Sequence, residues 1–235
     1  MKKSKALLLA LCAAALSVGA TFGTMAYLTD KDAATNTFTV GHVDILLDEK
    51  NVDGKDAEGK DNADELRDKA NKYHLIPGQT YEKDPTVTVK KDSEEAFIYM
   101  TVTVKDFDQL TSALPGSSYY HNGVFLIQNL CNWQADSPWA YRGFKQVDAD
   151  TGEYRFVYTE NGKEKKVAGG DNGVTLPALF DTITVPGADI TSNNIDNLKN
   201  VEIVVNAYAI QGAGFDTADA AWAAAIGNGD NYTIN

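Results

Sequence analysis

Phe97-Ile98-Tyr99-Met100-Thr101-Val102-Thr103-Val104 and, further along, Val201-Glu202-Ile203-Val204-Val205-Asn206-Ala207-Tyr208-Ala209-Ile210 decide the fold. Both are rich in β-branched and aromatic side chains, lack Gly and Pro, and read as strands. In the first, Phe97, Tyr99, Thr101 and Thr103 face one side, and Ile98, Met100, Val102 and Val104 the other. An apolar run of this kind suits a strand near the middle of a sheet.

Working outward, strand signals recur on either side. Phe38 and Val40 alternate, Gly41 interrupts, and Val43, Ile45 and Leu47 resume in the opposite phase, as a β-bulge requires. Val87 and Val89, Val124-Phe125-Leu126-Ile127, the stretch with Trp139, Tyr141 and Phe144, and Thr182 to Val185 are further candidates. Tyr154 to Tyr158 runs into Asn161-Gly162, the dipeptide that favours the type I′ turn of a hairpin. Asp150-Thr151-Gly152 makes a tight reversal before it. Eight or nine strands suit two packed antiparallel sheets, an all-β sandwich. Helices are minor: short insertions at Asp61 to Tyr73 and Asp106 to Ala113, and a C-terminal helix, Ala218 to Ile226. That helix has Asp216 or Thr217 as N-cap and Gly227 past its end. Asp48 to Glu65 is a polar, charged insertion, expected as a surface loop.

The 235 residues are 43% hydrophobic and 23% charged, enough apolar surface for a core and too much for disorder. A formal charge of -12 argues against nucleic acid as a partner. The chain opens with Lys2, Lys3 and Lys5, then an uncharged apolar run from Ala6 to Val18, then Thr24-Met25-Ala26. This order of positive region, apolar region and small-residue site predicts an export signal cleaved between Ala26 and Tyr27; an uncleaved anchor over Ala6 to Thr29 is the alternative. The domains are then a signal peptide (1–26), a leading segment (27–37) and a β-sandwich domain (38–235). Removing 1–26 leaves 18 basic against 33 acidic residues, a balance of -15. Only Cys131 then remains, so no disulfide closes within the chain, and it is expected as a buried small hydrophobe, with an intermolecular partner as the alternative.

Catalytic and cofactor motifs are absent. His42, His74 and His121 have no second His at helical spacing and no HExxH, so no metal site, catalytic residue or cofactor is assigned. Glu49, Asn51, Asp53 and Gly54 imitate the start of a calcium loop, but Lys60 stands where its bidentate Glu belongs. Trp133, Trp139, Tyr119, Tyr120 and Tyr141 cluster in sequence. They pack a core and its edges, or they form a sugar-stacking platform on a carbohydrate-binding surface or adhesin module.

Thr24-Met25-Ala26-Tyr27-Leu28-Thr29-Asp30, then Asn36 to Gly41 and Val43-Asp44-Ile45, resembles the TasA/camelysin family. Pro77-Gly78, Lys83-Asp84-Pro85, Ser93-Glu94-Glu95-Ala96-Phe97, Leu179 to Pro186 and Ala207 to Trp222 are similar to further blocks of it. The middle, from about 106 to 170, diverges. These are proteins exported by Gram-positive bacteria and processed by a dedicated signal peptidase. The resemblance implies a jelly-roll-like antiparallel β-sandwich, secretion, and fibres of an extracellular biofilm matrix built by donor-strand addition. Copies of the chain itself, the signal peptidase and an anchoring or assembly protein are the implied partners, with membrane contact only before cleavage. The donor is about Tyr27 to Thr37, with Tyr27 and Leu28 as anchors, Thr29 next to them and Phe38 and Val40 continuing the strand; the alternative is that residues 27–37 form a frayed end or pair within their own sheet. A camelysin-like secreted metalloendopeptidase is the enzymatic alternative.

Overall fold

The computed structural model describes residues 29–31, 42–54, 61, 66–69, 71, 76–113, 125–187, 190, 196, 201–227 and 231–234. The fold is mostly β, with antiparallel sheets, one of them curled into a half-barrel. Its strands are β1 (Thr29–Lys31), β2 (Ile45–Lys50), β3 (Arg67–Asp68), β4 (Thr80–Glu82), β5 (Thr86–Val89), β6 (Ala96–Lys105), β7 (Trp139–Gln146), β8 (Gly152–Glu160), β9 (Lys163–Glu164), β10 (Lys166–Val167), β11 (Val174–Thr175), β12 (Thr182–Thr184) and β13 (Glu202–Gln211). Among the described residues three helices accompany them: α1 (Phe107–Ala113), α2 (Phe125–Cys131) and α3 (Ala218–Ile226).

The largest sheet runs β1-β13-β6-β8-β7, with β10 added to β6 and β9 to β8. A second runs β11-β5-β2-β3, and β12 pairs with β4. The two deciding stretches are β6 and β13. They pair along their whole length, from Glu202↔Lys105 to Gln211↔Ala96. As the pattern of β6 requires, Ile98, Met100, Val102 and Val104 join Ile45, Val87 and Val89 of the second sheet in the main core. Phe97 and Tyr99 face the other way and join a second cluster with Ala218, Ala221 and Trp222 of α3. The strand is apolar on both sides because both sides are covered.

α3 occupies the residues its sequence marks. The Thr217 side chain accepts from the Ala220 N–H, and the Gly227 N–H donates to Ala223 O. Two further bonds fix the helix to the sheet. The Tyr99 hydroxyl donates to Ala218 O at 2.6 Å, and the Ala218 N–H donates to Glu164 Oε2 at 2.7 Å. Trp222 lies 4.9 Å from Tyr99 and 5.2 Å from Tyr208, ring centre to ring centre. The β8–β9 hairpin turns at Asn161 and Gly162, both at positive φ, as the Asn-Gly reading requires.

Three expectations are corrected. The strand expected over Val124 to Ile127 is replaced by helix α2, Phe125–Cys131. Leu126, Ile127, Leu130 and Cys131 are its buried residues, spaced as one helical face, and four apolar residues alone fit either period. Within Asp61 to Tyr73, Arg67–Asp68 forms β3 against β2 rather than helix. The Arg67 guanidinium bonds the Asp48 carboxylate, Asp84 Oδ2 and the carbonyls of Asp48 and Asp84, contacts distant in sequence that outweigh local propensity. Asp48–Lys50 belongs to β2 rather than to a loop, and Glu49 within it is buried. The Phe38–Gly41 bulge and the signal segment lie outside the described residues. Among the described residues no helix is long and apolar enough to cross a membrane.

Candidate assembly edge

β13 has two edges. One is saturated by β6 along its whole length. The other is paired by β1, antiparallel, at Thr29↔Ile210, Asp30↔Ala209 and Lys31↔Tyr208. Among the described residues no strand pairs that edge from Glu202 to Ala207. An edge of this kind presents backbone donors and acceptors to any extended segment that reaches it.

The side chains along this edge sort by parity. Ile203 and Val205 pack against the main core, which contains Ala207 and Ala209, while Tyr208 and Ile210 belong to the cluster under α3. Beside the unpaired part lies a crevice of about 220 Å³ between Ile203, Val204 and Val205 of β13 and Leu47, Asp48 and Glu49 of β2. Lys69, Asn71, Lys83 and Pro85 complete its walls. Its polar side is built from the inward alternation of β2: after Ile45 and Leu47, Glu49 also faces in. Its carboxylate accepts from Lys83 Nζ at 2.6 Å and from Asn71 Nδ2 at 2.9 Å, so the buried charge is paired. The crevice is apolar along β13 and ionic along β2.

Of the residues marked for polymerisation, Thr29 is found in β1, paired within its own chain. Tyr27, Leu28, Phe38 and Val40, together with the cleavage residue Ala26, lie outside the described residues. The acceptor positions Tyr208, Ala209 and Ile210 were not marked in the sequence. Nothing local signals them, because their partner strand stands at the other end of the chain.

The remaining candidates are accounted for as follows. Trp133 and Trp139 are buried, not exposed platforms. Their ring N–H groups donate to Trp139 O at 3.1 Å and Pro177 O at 2.8 Å. Tyr141 is half-buried, its ring 5.7 Å from that of Phe156, and Tyr119 and Tyr120 lie outside the described residues. Glu49 of the calcium-like stretch is held by Lys83, and the Asn51 side chain accepts from the Gly54 N–H. His42 is half-buried and its carbonyl accepts from the Glu94 N–H, whereas His74 and His121 lie outside the described residues. Among the described residues no group of three His, Cys, Asp or Glu side chains is placed to hold a metal. Cys131 is fully buried, and burial pushes its thiol up to about 12. Comparisons with protein-family models, with curated proteins and with solved structures find no match to this chain.

Proposed function

We propose that this chain is a secreted structural protein of an extracellular matrix, a TasA-like jelly-roll-like sandwich that assembles into fibres by donor-strand addition. The observation that supports it is the ladder between Thr29–Lys31 and Tyr208–Ile210. The segment that follows the proposed cleavage site is a strand-former, and its partner is the edge of a long central strand. A three-residue ladder is a small fraction of the ten-residue edge that β13 presents. The same ladder forms equally well with a neighbour's segment, which gains nothing new per bond but joins two molecules.

Exchange makes each copy a donor through β1 and an acceptor through β13. Donor and acceptor are different surfaces, so the contact is head-to-tail and the product is an open chain. The crevice beside Ile203 to Val205 is where an added strand continues past Tyr208, its backbone against β13 and every second side chain on the face shared with Ile203, Val205 and Glu49. Release by the signal peptidase is the switch, because the leading segment is tethered to the membrane until then. Electron microscopy of chains beginning at Tyr27 and at Phe38 tests this. Fibres from the first and none from the second are expected; equal fibres from both would refute donor-strand addition.

A further inference from the structure

The opposite edge of the same sheet carries a second, more elaborate seat. β7 is paired with β8 on one side. On its other side, Phe144 makes an isolated antiparallel bridge with Thr233. The Phe144 N–H donates to Thr233 O at 2.9 Å, and the Thr233 N–H donates to Phe144 O at 2.8 Å. The register of β7 shifts between Tyr141 and Gly143, which bends the strand at this point. Gly143 has φ +121, and a Cβ there would stand 2.9 Å from the Tyr232 Cβ and 3.0 Å from Thr233 O. The bulge and the missing side chain together let another backbone lie against β7.

Tyr232 fills a cage built by four side chains. The Arg155 guanidinium stands 4.6 Å and Lys145 Nζ 5.0 Å from its ring centre. Trp222 meets it edge-on at 6.1 Å. The phenol donates to Glu153 Oε1 at 2.5 Å. Arg155 is more than nine-tenths buried, with Asp219 at 2.9 Å from one terminal nitrogen and its Nε left without a hydrogen-bond partner. Two cations over one ring, an acceptor at its hydroxyl and a paired backbone beside it define a recognition site. Cation–π attraction, the phenol bond and strand addition are the contacts such a site offers to a tyrosine in an extended peptide.

We propose that the β7 edge and the cage of Arg155, Lys145, Trp222 and Glu153 form a β-augmentation site for a tyrosine-bearing strand. Residues 231–234 fill it in cis, and the same segment of a second copy fills it in trans. The commitment to a second copy follows from complementarity. Every contact described is made to the backbone of Thr233 or the ring of Tyr232, and an identical segment meets them unchanged. In cis the bridge involves one residue of an eight-residue strand, and Ile234 beyond it is left 71% exposed. This site lies on the edge of the sheet opposite β1, so it stands or falls independently of the exchange at β13.

The test uses a labelled peptide, Asn-Tyr-Thr-Ile-Asn (residues 231–235), and the full chain carrying Tyr232→Ala, whose own segment no longer fills the cage. By fluorescence anisotropy the variant binds the peptide at least about fivefold more tightly than the unsubstituted chain, since its own ring no longer holds the two cation–π contacts. A peptide with Ala for Tyr loses that binding. If Tyr232→Ala fails to fold, Thr233→Pro, which removes the bridging N–H and keeps the ring, carries the same comparison. Peptide binding no tighter to the variant than to the unsubstituted chain, or binding unaffected by loss of the peptide's tyrosine, overturns the proposal and leaves residues 231–234 as a closing contact of the monomer.

Discussion

Glu49 shows how a single position can follow the strand pattern and break the polarity rule. Alternation along β2 turns it inward after Ile45 and Leu47, and Lys83, whose side chain is 11% exposed against 8% for Glu49, neutralises it at 2.6 Å. Removing one partner strands the other charge. Lys83→Met is expected to cost about 3–5 kcal/mol, and Glu49→Leu with Lys83→Met distinctly less, read as midpoints of urea unfolding. A second group of residues sets the alkaline limit. Burial raises Cys131 from 9.0 and Tyr141 from 10.0, each to about 12, and carries Tyr99 and Tyr154 above the ordinary phenol range. Each group stays protonated in the folded chain at pH values where the unfolded chain has lost its proton. The unfolded state then binds fewer protons, so stability falls as pH rises above about 9. Urea midpoints that stay level from pH 8 to 11 would contradict this, as would native-state reaction of Cys131 with a thiol reagent at pH 8.

The elements depend on contacts of two ranges, and those ranges explain what was legible in the sequence. α3 is anchored through Trp222, buried against Tyr99 and Tyr208. Trp222→Ala is expected to cost about 3–5 kcal/mol, with faster amide exchange in α3 while β6 keeps its protection. Gly162, at φ +74 with open space around it, closes the β8–β9 hairpin. Gly162→Ala is expected to cost about 1–2 kcal/mol through backbone strain alone. Local signals carry the long runs of β6 and β13, the Asn-Gly hairpin, and the Thr217 and Gly227 caps of α3. Elements whose deciding contact is distant leave no such signal. β3 exists because Arg67 meets Asp48 and Asp84, and a two-residue strand has no period of its own. α2 was misread because four apolar residues in a row suit a buried strand as well as a buried helix face. Thr29 is marked only through the family resemblance, and nothing in the sequence marks its partner Ile210, since pairing is a property of the fold.

At the scale of the whole molecule, the two long strands flanking the large sheet are each met by a short piece of chain: β13 by β1 over three residues, and β7 by Thr233 through one bridge. Among the described residues, short closures of this kind leave most of each edge strand's backbone open to a further strand, which is what the proposed donor-strand addition requires. The most direct test of exchange at β13 mixes two single-cysteine chains beginning at Tyr27, one with Asp30→Cys and the other with Ala209→Cys, each also carrying Cys131→Ala. Residues opposite each other on antiparallel strands are within disulfide reach. Strand exchange predicts that oxidation of the mixture yields a disulfide-linked dimer on a non-reducing gel, at a level that rises with protein concentration. The contradictory result is a mixture that stays monomeric while the chain carrying both cysteines closes on itself.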